Sequence, residues 1–330
     1  MKDLYHTVNP TVRLKETELL TKENFDQLAV AESFEKIREL LNSTVYSKYL
    51  SEGFQFQFEQ SLEEERRQTY QEMLELVPDP NIVWVYTMRY TFHNLKVLTK
   101  AEKMQEDYSH LFMDDGFYSL EEIQSAVENG VSGVLPQSIV QAIRDVNHYF
   151  EESAILQGID VIYDRHFLTE QRRIGEELKY PELLQEIITF IDFTNIITAA
   201  RCILQDRSYA FMDTVLSDAG SIPKQSFLHF ARQSMEEYMG FLRRTDYGSL
   251  LEPALQKEKI NFLQLDLIKD NYLTSLYDIA KTTAFGPLPL LAFLNAKDIE
   301  LMNLRLIIIG KRSGFTQEQV TERMREISEL

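Results

Sequence analysis

Apolar residues recur along this chain at helical spacing, not strand spacing. Three stretches show it most clearly, and each opens on a proline: Pro80-Asn-Ile-Val-Trp-Val-Tyr, Pro181-Glu-Leu-Leu-Gln-Glu-Ile and Pro289-Leu-Leu-Ala-Phe-Leu. Counted from the proline, positions 12, 15 and 18 are apolar every time: Phe92, Leu95, Leu98; Phe193, Ile196, Ala199; Leu301, Leu304, Ile307. That spacing places them on one helix face. Fourteen residues after each proline stands an asparagine, Asn94, Asn195 and Asn303, so prolines and asparagines share separations of 101 and 108 residues. Each proline suits a first helical turn, where its missing N–H costs nothing. Asp79 ahead of Pro80 is a suitable N-cap.

A second element recurs with the long helix. Leu20-Thr21-Lys22-Glu23-Asn24-Phe25, then Leu28-Ala29 and Tyr46, matches Ile222-Pro223-Lys224-Gln225-Ser226-Phe227, then Phe230-Ala231 and Tyr247. The phenylalanines lie 202 residues apart and the tyrosines 201. The middle copy is Tyr118-Ser119-Leu120-Glu121-Glu122-Ile123, ending at Tyr149, with Ser119 and Glu122 as a capping box. The pattern predicts an all-α protein of three similar helical units, 1–115, 116–220 and 221–330. Asp114-Asp115-Gly116 and the stretch from Asp218 to Pro223 mark the borders. Gly310 to Phe315 reads as a helix C-cap and loop. Thr316 with Gln319 predicts a last helix over 318–327. Ser61 with Glu64 reads as a further capping box, and the alternation Phe54-Gln-Phe-Gln-Phe58 admits a short hairpin before it.

Composition narrows the function classes. The 330 residues include 12 Gly and 9 Pro, few for a loop-rich sandwich or a Gly-rich nucleotide fold. With 52 acids against 34 bases the net charge is −18, which argues against nucleic-acid binding and a polybasic membrane anchor. The single cysteine, Cys202, lies in an apolar helical pattern and reads as a small buried hydrophobe. The opening Met1-Lys2-Asp3-Leu4-Tyr5-His6 carries no apolar signal region, and apolar runs such as Leu306–Ile309 are far short of the roughly 20 residues that span a bilayer. The expectation is a cytoplasmic protein with no direct lipid insertion.

The search for chemistry finds no catalytic, cofactor or metal site. Gly310-Lys311 lacks the earlier glycine and following Ser/Thr of a phosphate loop. The six histidines form no His-Glu-x-x-His, and the pairs Asp107/His110 and Asp145/His148 lack the carboxylates of a di-iron bundle. The charge run Glu63 to Arg67 reads as a solvated helix face. Mid-helix asparagine is unfavourable by propensity. Its recurrence in three copies points to a shared packing or capping role toward a backbone group of a neighbouring helix. Arg305 either lines a partner surface or pairs with an acid, and the pattern favours the pair.

The third copy also resembles a known family. Phe285-Gly286-Pro287-Leu288-Pro289-Leu290, Ala296-Lys297-Asp298-Ile299-Glu300 and Asn303-Leu304-Arg305-Leu306-Ile307-Ile308-Ile309-Gly310-Lys311 resemble the C-terminal signature of the C subunit of V/A-type rotary ATPases, called the d subunit in eukaryotes. Leu19-Leu20-Thr21 ahead of Phe25, Leu28 and Ala29 is similar to the family's early helix, while the middle copy matches by pattern alone. The resemblance implies three helical bundles about a pseudo-threefold axis, forming a funnel. It implies a non-catalytic rotor part, peripheral on the cell membrane. Its partners would be the central shaft subunits and the membrane proteolipid ring, with ATP hydrolysis or synthesis coupled to H⁺ or Na⁺ movement. It leaves the ion, the direction and the interface residues open. The alternative reading is a helical-repeat adaptor unconnected with an ATPase.

Overall fold

A computed structural model of the chain describes residues 4–113, 117–153, 155–257 and 259–328. Among these it is helical throughout, with a single bridge between Leu255 and Ile260 as the only extended pairing. The all-α expectation holds. The border at Asp114–Gly116 lies outside the described residues.

The described helices are α1 (Val8–Glu16), α2 (Lys22–Val30), α3 (Phe34–Leu41), α4 (Phe54–Leu76), α5 (Asn81–Met104), α6 (Leu120–Asn129), α7 (Gln137–Ser153) and α8 (Leu156–Leu178). They continue with α9 (Pro181–Leu204), α10 (Tyr209–Val215), α11 (Lys224–Leu228), α12 (Met235–Leu242), α13 (Gly248–Leu251), α14 (Phe262–Ser275), α15 (Leu288–Arg312) and α16 (Gln317–Thr321). They fall into two compact units, one of residues 1–82 and 266–330, the other of residues 83–265.

In the unit built from both chain ends, α15 packs on α4, α1 and α2. Phe25, Leu28, Ile37 and Tyr46 from the first residues share a core with Phe58, Leu62, Leu304 and Ile308. In the other unit α8 packs on α7 and α9, and α9 also meets α11 and α12. The long helices α5, α9 and α15 carry the proline-to-asparagine pattern. All nine residues at positions 12, 15 and 18 are buried. By length and hydropathy α9 is the one described helix that qualifies as a bilayer span, longer than the apolar runs read from the sequence. Most of its apolar window is instead buried in the protein.

Local signals set the helix ends. Pro181 opens α9 at its first position, and Pro289 is the second residue of α15. Pro80 sits in the turn just ahead of α5, where the Asp79 carboxylate accepts the Asn81 N–H at 3.0 Å. Ser119/Glu122 and Thr316/Gln319 both form reciprocal capping boxes. At the end of α15, Gly314 adopts φ +73° and lets Phe315 N–H reach Gly310 C=O at 2.8 Å. This left-handed closure terminates the helix by satisfying its last carbonyls.

Three local expectations are corrected. Residues 54–58 form no hairpin. Phe54, Phe58 and Leu62 are buried at helical spacing, so burying one face selects helix over the alternation. Ser61 is not a cap: it lies inside α4 and its hydroxyl donates to Gln57 C=O at 3.3 Å. The last helix stops at Thr321, not 327, because the following residues are drawn out along α15 by Asn303.

Candidate functional site

The recurring asparagines all make the same contact. Asn195 Nδ2 donates to Ser217 C=O at 2.8 Å, and Ser217 N–H donates to Asn195 Oδ1 at 2.9 Å. Asn303 does the same with Arg325, at 3.0 and 2.8 Å. Asn94 Nδ2 donates to Met113 C=O, and Met113 N–H returns a bond of 3.0 Å. All three side chains are buried. An amide matches a peptide unit donor for acceptor, so it can pair with an extended backbone inside an all-helical core. The cost of a buried mid-helix asparagine is thereby offset.

A second polar position precedes the asparagine by three residues, on the same face: Thr91, Asp192 and Glu300. Sequence reading missed it, although the count of 11 residues from each proline was there to be found. Glu300 accepts the Tyr46 phenol at 2.6 Å and the Leu20 N–H. Asp192 accepts the Tyr247 phenol at 2.8 Å, Ile222 N–H at 3.1 Å, Ser221 N–H at 2.7 Å and the Ser221 hydroxyl. Tyr46 and Tyr247 are matched residues of the sequence repeat, as are Leu20 and Ile222. Matched residues thus make matched bonds. In the remaining long helix, Thr91 accepts the Trp84 indole N–H at 3.3 Å. Trp84 stacks on Phe117 at 5.2 Å and meets Tyr118, the residue matched to Leu20, edge-on at 5.5 Å. Gly220 makes the Asp192 contact feasible, since a Cβ there would lie 2.3 Å from Asp192 Oδ1.

Around Glu300 lies a buried ion network. Lys297 Nζ is 2.7 Å from Glu300 Oε1 and 3.4 Å from Glu65 Oε1. Glu65 also takes Lys48 at 3.0 Å and the Tyr49 phenol at 3.2 Å. Lys297, Glu300 and Glu65 are all buried. Burial by itself would depress the Lys297 ammonium, yet the carboxylates of Glu300 and Glu65 hold it above its ordinary value. Burial likewise pushes Glu65 upward, and Lys297, Lys48 and Tyr49 outweigh it, holding the carboxyl below its ordinary value. Burial, then the Glu300 charge, drive the Tyr46 phenol far above its usual range. The charge run is therefore not simply a solvated face: Glu65 and Arg66 are buried where α4 meets α15. The sequence carried a signal for this, because Phe58, Leu62, Glu65 and Thr69 follow one helical stripe.

Chemically the arrangement is closed. The buried carboxylates Glu300 and Glu65 share the Lys297 ammonium, the arrangement of a structural ion pair, while Asp192 accepts from hydroxyl and backbone N–H groups. Arg305 pairs with Glu59 at 2.8 Å, and Lys96, at the matched place in α5, pairs with Asp164. Asp145 turns to His166, 2.8 Å away, not to His148. Cys202 is buried, and burial raises its thiol. Among the described residues no group of three His, Cys, Asp or Glu side chains is placed to hold a metal ion.

Known proteins place this architecture. A profile of the ATP synthase (C/AC39) subunit family matches residues 8–323. The C subunit of the V-type sodium ATPase of Enterococcus hirae is 55% identical over 326 residues, covering 99% of each chain. The C subunit of the A-type ATP synthase of Methanothermobacter thermautotrophicus is 25% identical over 336 aligned positions, covering 95% of this chain and 86% of its own. That of Thermococcus kodakarensis is 23% identical and covers 98% and 91%. With the match running through nearly the whole chain, this protein belongs to the ATP synthase (C/AC39) subunit family, a structural subunit of a V/A-type ATPase and not an enzyme by itself.

Proposed function

We propose that this chain is the rotor coupler of a V/A-type ATPase, joining the central shaft to the membrane proteolipid ring. It sits on the cytoplasmic side, peripheral to the membrane, and passes torque between ATP chemistry in the head and ion movement in the ring. Its three helical units, 1–115, 116–220 and 221–330, stand about a pseudo-threefold axis as a funnel. The E. hirae relative is named as part of a sodium ATPase, and at 55% identity Na⁺ is the ion to test first.

The observation that carries this reading is the bond from Glu300 to Tyr46 and Leu20. Asp192, in the second long helix, holds Ile222 and Tyr247 of the third copy. Glu300, in the third long helix, holds the matched residues of the first copy. An open solenoid has no partner for its last repeat beyond a cap. A bond from last copy to first supports a closed threefold arrangement, which suits a socket for a shaft. Packed helices tied by buried polar bonds give the stiffness that torque transfer needs.

The test is affinity purification of the tagged chain from solubilised membranes of its own cells. ATPase head subunits and the proteolipid should co-purify in fixed ratio. Recovery of the chain without either overturns the assignment.

A further inference from the structure

The middle copy of the repeat departs from the other two at its tyrosine. Tyr46 and Tyr247 are buried, and each phenol donates to a long-helix carboxylate. At the matched place α5 carries Thr91, which accepts the Trp84 indole N–H. Tyr149, the tyrosine of the middle copy, is half-buried, and its phenol makes no hydrogen bond among the described residues. Its ring lies across Gly158 at the start of α8, where a Cβ would overlap it. There Tyr149 walls a cavity of about 380 Å³ with Val161, Ile162 and Arg165 of α8 and Phe211 of α10. No Asp or Glu lines it. Arg165 has no carboxylate within ion-pair distance among the described residues. The acids near it on α8 are taken, Asp160 by Lys100 and Asp164 by Lys96. A second guanidinium, that of Arg207, lies over the Phe211 ring at 5.0 Å.

An acid-free cavity with an unpaired arginine is notable on a chain of net charge −18. Tyr149, Val161, Ile162 and Phe211 offer an apolar body shelter from water, and a guanidinium fork matches a carboxylate. The volume equals that of a cube of about 7 Å edge. A helix is roughly 10 Å across, so the cavity suits a small molecule and not a helical segment. We propose that it binds a small organic anion with an aromatic or branched apolar body and one carboxylate. The carboxylate pairs with Arg165, and the body lies between α8 and α10. The ligand thus bridges α8 to α10, just ahead of Ser217 and its bonds to Asn195. The whole site lies within the unit of residues 83–265 and is independent of the rotor reading.

The experiment titrates the purified full-length chain by calorimetry with naphthoate and with naphthamide, its neutral isostere. Naphthoate is expected to bind one per chain with a dissociation constant below about 1 mM, and the amide about tenfold more weakly. Arg165→Gln binds both probes at the level of the amide, while Lys36→Gln, the same charge change elsewhere, keeps the wild-type preference. Val161→Trp fills the cavity and abolishes binding of both. Thermal melts by circular dichroism verify that each variant is folded. Hydrogen exchange with naphthoate bound should slow over 156–165 and 209–215. Absence of saturable naphthoate binding overturns the site. Equal affinity for the two probes, or an undiminished preference for naphthoate in Arg165→Gln, overturns the anion. Protection confined to other segments, such as the hollow between α2 and α3, places the probe outside this cavity and overturns the proposal as well.

Discussion

Asn195 and Ser217 exchange two hydrogen bonds, side-chain amide against backbone, 22 residues apart and wholly buried. The same exchange joins Asn303 to Arg325 and Asn94 to Met113. In each case a long helix holds the extended strand of chain that follows it, without a β-sheet. The contact fixes where the chain turns back after each long helix.

Asn195→Ala removes both bonds and leaves the buried Ser217 N–H and C=O unpaired. A loss of about 3 kcal/mol is expected in denaturant unfolding. Asn94→Ala should cost less, because Met113 is half-buried and water can replace the amide. A loss below about 0.5 kcal/mol for Asn195→Ala, the range of neutral surface changes, would refute the clasp.

Asn303→Ala acts on the chain's last residues. Arg325 also bonds to Asp270 at 3.0 Å and Glu326 N–H to Asn271 at 2.9 Å, so the segment stays tethered but looser. Hydrogen exchange should rise over 322–328 while the core of α15 keeps its protection. Unchanged exchange in that segment would show that Asn303 does not hold it.

Lys297→Met leaves Glu65 and Glu300 buried without their shared cation, at a cost of about 3–5 kcal/mol. The pH dependence has a definite sign. Glu65 is held below its ordinary value of 4.5, so its contribution is full above that value and is lost as pH falls through the lower folded value. Lys297 is held above its ordinary 10.5, so its contribution is full below that value and is lost as pH rises beyond it. In Lys297→Met the alkaline limb should weaken. The acid limb should shrink as well, because Glu65 has lost its main counter-charge. Urea melts between pH 3 and 11 read both limbs (a roughly spaced series bracketing the carboxyl and ammonium ranges).

Tyr46→Phe and Tyr247→Phe each delete one phenol-to-carboxylate bond in matched places. Each should cost about 2 kcal/mol, in the range of hydrogen bonds to charged groups. Equal costs follow if the two sites are equivalent members of a repeat. A neutral result at one site alone would break the equivalence.

Gly220→Ala forces a Cβ to 2.3 Å from Asp192 Oδ1. It should destabilise on its own and add little once Asp192→Ala has opened the space. The expected coupling is about 1–3 kcal/mol in a double-mutant cycle. Strict additivity would mean that the loop and the carboxylate are not in contact.

Much of this was legible in the sequence, for local reasons. Helical periodicity, the prolines at or near helix starts, the capping boxes at Ser119 and Thr316 and the left-handed Gly314 depend on neighbours within a few residues. The spacing of Asn94, Asn195 and Asn303 announced a shared polar role, because a mid-helix asparagine is costly unless bonded. What it bonds to was not legible. Met113, Ser217 and Arg325 carry no common side chain, since the contact uses their backbone.

The tertiary structure decided the rest. A helical pattern states which face is buried but not against what, so the stripe through Phe58, Leu62 and Thr69 marks Glu65 as facing inward without naming its counter-charge. Lys297, brought to it from 232 residues away, supplies that charge. Likewise the last helix shortens because its chain is claimed by Asn303, and Glu300 finds Tyr46 at a separation of 254 residues. Sequence determined the helices and their repetition, which are set by short-range sterics and periodicity. Which buried charge meets which partner was left to the fold, because a desolvated ion is stable only where the packed chain supplies its counter-group.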